Sequence, residues 1–262
     1  MADLLYRVEN AVATIQLNRP GHKNAFTLEM IDAWAERLEQ AGRDPGVHAI
    51  VTTGSGDSFC AGVDLDVMAA LQRSRSALQW KQVLWERVHK VAFALERIDK
   101  PVIAAVNGVA VGAGMDMALM CDMRFMARSA SFSEGYVRVG AVPGDGACHY
   151  LPRLVGRAKA LELLLTGDFI GADEVLRIGL ANRVHDDAQL LAQTQAFAER
   201  LAANSPIAMR TIKRAVDQCL RSDLRTSLDL ISSHMGVVLT TDDAAEALAA
   251  FKDRRQPTFT GA

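Results

Sequence analysis

Two segments carry the residues best suited to chemistry. Phe59 to Leu65 reads FCAGVDL, and Asn107 to Asp122 reads NGVAVGAGMDMALMCD. Each sets glycine and other small residues between a run fit for a strand and a run fit for a helix. Such a turn lets a ligand atom approach the backbone, and it leaves the first N–H groups of the helix unpaired on the positive end of its dipole. The chemistry this suits is the stabilisation of a carbonyl oxygen that gains negative charge, where each donor lowers a barrier by about 3 to 4 kcal/mol. A Gly-rich turn met singly is more often a plain tight turn, so the pair carries more weight than either member.

These turns need strands and helices to hold them, and the hydrophobic pattern supplies both. AVATIQLN (11–18) reads as a strand stopped by Arg19-Pro20-Gly21. Thr27 can cap the next helix, Glu29 suits its first turn, and Met30, Ile31, Trp34, Leu38 and Ala41 recur at helical spacing until Asp44-Pro45-Gly46. The order then repeats with a strand from His48 to Gly54, the first Gly-rich loop, and a long helix whose Leu84, Val88, Val91, Leu95 and Ile98 form one apolar stripe. A third cycle offers a β-branched strand from Pro101 to Val106, a turn at Asn107-Gly108 and a helix over Met115 to Cys121, after which strand character runs from Met123 to Phe132. From Gly156 onward the chain reads as helical apart from Leu180 to Val184. There Ser205-Pro206 predicts an N-cap with proline at the first helical position, Asp243 and Glu246 predict a capping box, and Gly167 and Gly179 predict C-caps. The cycles lack a fixed period, so this is no regular solenoid.

The bulk numbers favour a small ligand. A chain of 262 residues, half of them hydrophobic, buries about three quarters of the surface its unfolded form exposes. With 29 Lys and Arg against 31 Asp and Glu the net charge is −2, so no basic field recommends nucleic acid or an anionic membrane. Cys60, Cys121, Cys148 and Cys219 stand far apart without a C-x-x-C pair, which argues against a zinc site or a disulfide scaffold and for reduced thiols in the cytoplasm. No metal-ligand cluster, dinucleotide fingerprint or P-loop is present. No apolar run reaches membrane length, and the first residues lack the pattern of a signal peptide, so the chain reads as soluble and unprocessed.

The order and surroundings of the two turns resemble the enoyl-CoA hydratase/isomerase (crotonase) superfamily. The resemblance runs nearly end to end: LNRP-GHKNA, FCAGVDL, KPVIAAVNGVAVGAG-x-D-x-A-L-x-C-D, VPGDG followed by LPRLVGRAKALELLLTG, and a closing FKDRRQPTFTG. It implies an α/β fold, a spiral of ββα turns over residues 1–200 with a C-terminal helical trimerisation region over 201–262, assembled as a homotrimer or a dimer of trimers. It implies an acyl-CoA substrate and no cofactor beyond that CoA. The oxyanion-hole N–H groups then fall on Val63 and Ala113. The CoA contacts fall on Lys23 and Ala25 in the first loop, on Ala61, Asp64, Leu65 and Asp66 around the second, and on Phe251 and Lys252 near the C-terminus, which in relatives touch the CoA of the same or an adjacent subunit.

The proton-moving residues depart from the family's usual pattern. Simple hydratases carry two glutamates, and here Asp116 stands at the first position and Tyr136 at the second. Asp145, in VPGDG, lies in the loop where specialised relatives such as dienoyl-CoA isomerases place a catalytic aspartate. Asp116 with Asp145 therefore resembles a proton shuttle more than a water clamp. An aspartate acting as an acid near neutrality needs its pKa raised by roughly 3 units, which burial in the apolar helix around Asp116 could supply. Plain structural roles compete: the dipole alone favours Asp116 in a first helical turn, and Asp145 between two glycines suits a turn. Glu134 reads as a solvated loop carboxylate or, less expectedly, a pocket acid.

Three functions follow. The leading one is hydration or double-bond isomerisation of an enoyl-CoA through an enolate held by Val63 and Ala113, leaning to isomerisation. The second is thioester or C–C hydrolysis using Tyr136 or His149, the latter lying beside Asp145 if the helix has begun there. Cys148 is a weak candidate nucleophile. The third, from a different class, is a non-catalytic acyl-CoA binder or assembly subunit.

Overall fold

Each strand-helix cycle winds one turn of a spiral. The computed structural model describes residues 2–262. The first turn pairs β1 (Leu4–Glu9) antiparallel with β2 (Val12–Leu17) and continues into α1 (Leu28–Arg43), where the Thr27 side chain accepts from the Met30 N–H as its spacing predicts. The second holds β3 (Ala49–Gly54), β4 (Ser58–Cys60), α2 (Leu65–Ser74), α3 (Ala77–Val83), a π turn over Leu84–Val88 and α4 (His89–Arg97). The third holds β5 (Val102–Val106), β6 (Val109–Val111) and α5 (Ala113–Leu119), and β7 (Met123–Ala127) and β8 (Ser131–Ser133) begin the fourth. Then come α6 (Ala147–Val155), α7 (Arg157–Thr166), β9 (Ile170–Gly171), α8 (Ala172–Arg177), β10 (Arg183–His185) and α9 (Leu190–Ala202). The chain closes with α10 (Pro206–Cys219), α11 (Leu224–Val238) and α12 (Asp242–Asp253).

The strands sort into two sheets, one of order β1-β2-β3-β5-β7-β10 and one of order β4-β6-β8-β9. From the second turn onward each turn thus gives one strand to each sheet, and every pairing other than β1·β2 and β8·β9 is parallel. Strands β3 and β5 are buried along their whole length, which is why they read as unbroken apolar or β-branched runs rather than alternating ones. Trp34, Phe26, Phe59, Phe125 and Phe132 fill the core between sheet and helices.

Four expectations need adjusting. The strand expected over Met123 to Phe132 is two strands in different sheets, because the chain bends at Arg128-Ser129 to cross between them. The strand expected at Leu180 to Val184 is Arg183–His185, since Leu180 and Ala181 bond back to Val175. The long helix before Ile98 is broken into pieces with a π turn between them, although Val88, Val91, Leu95 and Ile98 are buried as expected. The capping box at Asp243 does not form. Thr241 caps α12, accepting from the Ala244 N–H.

Asp243 instead ties the C-terminal tail down. Its Oδ1 accepts from the Thr260 and Gly261 N–H groups at 2.8 and 3.1 Å, and its Oδ2 accepts from the Ser205 hydroxyl at 2.8 Å, which also caps α10. Asp243→Ala should therefore cost about 2 kcal/mol and bring the Thr260 and Gly261 amides close to unprotected hydrogen exchange. Unchanged protection at those two amides would contradict the tether.

Candidate functional site

The two Gly-rich turns are pressed against one another. A Cβ on Gly114 would lie 2.0 Å from the Cys60 carbonyl oxygen, so no side chain fits there. Gly62 takes φ +90, and a Cβ on it would lie 3.0 Å from the Val111 oxygen and 3.5 Å from the Ala113 nitrogen. These are close approaches of backbone to backbone that only glycine permits. They bring the chain around Val63 beside the N-terminus of α5.

Accounting for backbone hydrogen bonds shows what the turns leave free. Phe26 N–H donates to Gly62 O, Asp64 N–H to Phe26 O, Gly112 N–H to Ser133 O and Asp116 N–H to Gly112 O, all between 2.8 and 3.0 Å. Among the described residues, no hydrogen bond takes up the Val63 or the Ala113 N–H. Two neighbouring unpaired donors, one of them at a helix start, suit an oxyanion.

Beside them lie three carboxyl groups and a phenol. Asp116, on α5, is fully buried, Glu134 is 1% exposed and Asp145 4%. The Tyr136 ring packs over Gly112, whose missing Cβ would be 3.5 Å from it. The Tyr136 hydroxyl lies 2.6 Å from Asp116 Oδ2 and 3.0 Å from Asp145 Oδ2. A phenol has one proton to donate, so both contacts are hydrogen bonds only when one carboxyl is itself protonated. The environment supports that. Burial, then the neighbouring Asp145 charge, pushes the Asp116 carboxyl up to about 8 against the Tyr136 hydrogen bond, and burial raises Asp145 as well. Both Glu134 oxygens lack any partner among the described residues, and burial, followed by the Asp116 and Asp145 charges, pushes that carboxyl up to about 9. Burial and the same carboxylates drive Tyr136 well above its ordinary value.

The loops expected to hold CoA also converge. Ala61 N–H donates to Lys23 O at 2.9 Å, and Arg19 Nη1 bonds both Ala25 O and Asp64 Oδ2. Asp64 caps α2 by accepting from the Asp66 N–H, and that bond together with Arg19 holds its carboxyl below the usual range. Leu65 is 83% exposed at this edge, and Lys23 Nζ bonds the exposed Asp57. Phe251 and Lys252 stand exposed on α12, and no hydrogen bond or ion pair among the described residues joins them to these loops.

Two expectations are overturned and one residue emerges that sequence reasoning missed. Glu134 is no solvated loop carboxylate, because β8 carries it straight into the interior. His149 does not pair with Asp145, since α6 begins only at Ala147 and His149 is exposed. The histidine at Asp145 is His89, whose Nε2 lies 3.9 Å from Asp145 Oδ1 and 2.7 Å from Gly144 O. Cys148 is exposed, whereas Cys60 and Cys121 are buried with thiols pushed up to about 12. Among the described residues, no group of three or more His, Cys, Asp or Glu side chains is placed to hold a metal, and no helix is long and apolar enough to cross a membrane.

A family profile described as enoyl-CoA hydratase/isomerase matches residues 7–262. Crotonyl-CoA hydratase of Syntrophomonas wolfei is 34% identical over 98% of this chain and 97% of its own length. The 1,2-epoxyphenylacetyl-CoA isomerase of Escherichia coli is 35% identical over 100% and 99%. The crystal structure of enoyl-CoA hydratase from Bacillus anthracis superposes with a TM-score of 0.92 at 32% identity, covering 100% of both chains.

The buried acids contribute a pH dependence to stability. Glu134 holds its proton in the folded chain up to about 9, whereas its ordinary value is 4.5. Between those values the folded state binds more protons than the unfolded one, so stability falls as pH rises, by at most about 1.4 kcal/mol per pH unit for each such group. Denaturant midpoints measured across that window should decline in the wild type and decline less in Glu134→Gln. Parallel curves for the two proteins would show that Glu134 ionises freely.

Proposed function

The chain belongs to the enoyl-CoA hydratase/isomerase family and is an enzyme of acyl-CoA thioesters, and on that premise we propose that it shifts a double bond by moving a proton through Asp116, Tyr136 and Asp145. The observation that carries this reading is the Tyr136 hydroxyl lying between the two aspartates at 2.6 and 3.0 Å. A hydratase holds a water between two carboxylates. Here a phenol stands between them.

In this mechanism the thioester oxygen accepts from the Val63 and Ala113 N–H groups. The ionised member of the aspartate pair removes a proton from the carbon chain, and the electron pair moves onto that oxygen as an enolate. The protonated member returns a proton to the far carbon, the electron pair flows back, and the double bond has moved with no net change in atoms. Raised carboxyl pKa values suit both roles, because acid and base work best near the operating pH. Tyr136 keeps the two carboxyls in register and passes the proton deficit between them.

Lys23, Ala25, Ala61, Asp64, Leu65 and Asp66 form the CoA edge in this reading, with Asp64 and Asp66 acting through their backbone and through the cap on α2. Phe251 and Lys252 complete it from the same subunit or an adjacent one. No cofactor is needed beyond the CoA of the substrate. Residues 1–200 form the spiral that holds the site, and 201–262 form a helical region that assembles a homotrimer or a dimer of trimers. Support for assembly comes from Ile212, Val216, Leu220, Leu224, Leu228 and Met235, each more than half exposed along α10 and α11. Four free thiols suit a cytoplasmic location.

Incubation in D₂O with short, medium and aromatic enoyl-CoA thioesters should give isomers that carry deuterium without added water mass. Products heavier by one water would make the enzyme a hydratase and overturn the shuttle. Ala113→Pro deletes one oxyanion donor at the first position of α5, where proline is tolerated. Turnover should then fall about a hundred- to a thousandfold, and wild-type turnover in this variant would remove the oxyanion assignment.

A further inference from the structure

The buried acids need a route by which they exchange protons with water, and a pocket that the isomerisation mechanism does not use lies beside Asp145. This pocket, of about 290 Å³, lies between α4 and the start of α6, lined by His89, Phe93, Glu96, Asp145, His149 and Tyr150. His89 lines this pocket, and its Nε2 lies 3.9 Å from the unpartnered oxygen of Asp145.

Its position is fixed from three sides. The π turn over Leu84–Val88 ends at His89 and re-aims the helix, a feature often found at functional sites. Trp85 and Phe93 contact the imidazole edge-on, with centroids at 5.9 and 6.2 Å. Nε2 meets the Gly144 carbonyl oxygen at 2.7 Å. A carbonyl only accepts, so Nε2 carries the hydrogen, which in the neutral ring leaves Nδ1 as the acceptor. Asp145 Oδ1 is buried, has no hydrogen-bond partner among the described residues, and lies 3.9 Å from Nε2. A movement of about 1 Å, within ordinary side-chain excursions, brings them into hydrogen-bond contact.

We propose that His89 is a relay that exchanges protons between water in this pocket and Asp145, and through Tyr136 with Asp116. In uptake, Nδ1 takes a proton from water while Nε2 releases its own to ionised Asp145. In release, Asp145 returns a proton to Nε2 as the Nδ1 proton leaves to water, so charge and atoms balance in each direction. The other titratable groups facing the pocket are Glu96 on α4, and His149 and Tyr150 on α6. His89 touches no reacting atom in this scheme and acts through Asp145. The proposal rests on the shuttle described above only for its first test.

His89→Gln preserves an N–H for Gly144 O but cannot relay a proton. In D₂O, deuterium gained per product molecule at early conversion should fall several-fold in this variant, because protons taken from the substrate are returned before they exchange. An unchanged ratio would overturn the relay. A second readout needs no turnover. In mixed H₂O and D₂O the carboxyl ¹³C resonance of whichever of Asp116 and Asp145 holds the proton in the free enzyme should be one averaged line in the wild type and two isotope-shifted lines in His89→Gln. One averaged line in both proteins would equally overturn the relay. Failure of the wild type to turn over any enoyl thioester would sink the shuttle instead and leave the carboxyl resonance to decide the relay.

Discussion

Everything at this site follows from two backbone turns meeting without side chains between them. With 2.0 Å separating the Cys60 oxygen from any Cβ on Gly114, the contact admits no residue larger than glycine. That approach fixes the start of α5 against the loop before α2, and the two unpaired N–H groups at Val63 and Ala113 come with it. The same contact carries Asp116 inward, because Asp116 sits on the first turn of α5 and bonds back to Gly112 O. Gly112, whose φ of +51 suits glycine, lies against the Tyr136 ring, and Tyr136 in turn reaches both aspartates. One steric constraint thus sets the two unpaired N–H groups and brings Asp116 in with them.

The second consequence is a dry cluster of acids. Burying a carboxylate without partners is costly, and the less costly course is to keep its proton. Asp116, Glu134 and Asp145 share a space where full ionisation would place like charges together in a low-dielectric interior. Glu134, with both oxygens orphaned, contributes nothing to stability that an apolar side chain would not supply better. Such unsatisfied groups concentrate at functional sites, where altered proton affinity serves the chemistry.

Much of this was legible in the sequence because its causes are local. The Thr27 cap, the Ser205-Pro206 helix start, the buried runs of β3 and β5 and the glycines of both turns each announce themselves within a few residues. Asp116, Tyr136 and Asp145 were marked by resemblance, and the structure brings them within hydrogen-bond reach of one another. What stayed hidden depends on distant contacts. Glu134 follows Ser-Phe-Ser and precedes glycine, a string that suits a surface loop, and only the packing of β8 against β6 buries it. His89 lies off the apolar stripe of α4, and only the loop at Gly144-Asp145, more than 50 residues on, gives it partners. Asp243 resembled a helix cap, yet its partners lie 17 and 18 residues away at Thr260 and Gly261.

The central claim is that protonated aspartate persists at neutral pH beside the unpaired Val63 and Ala113 N–H groups. Infrared spectroscopy of the free enzyme labelled with carboxyl-¹³C aspartate measures this directly, because a neutral carboxyl has a C=O stretch well separated from carboxylate bands. The account predicts an isotope-shifted neutral-carboxyl band at pH 7 that is lost as pH is raised and is absent from Asp116→Asn. Carboxylate bands alone at pH 7 would mean that these aspartates are ionised, and the proton shuttle built on them would fall.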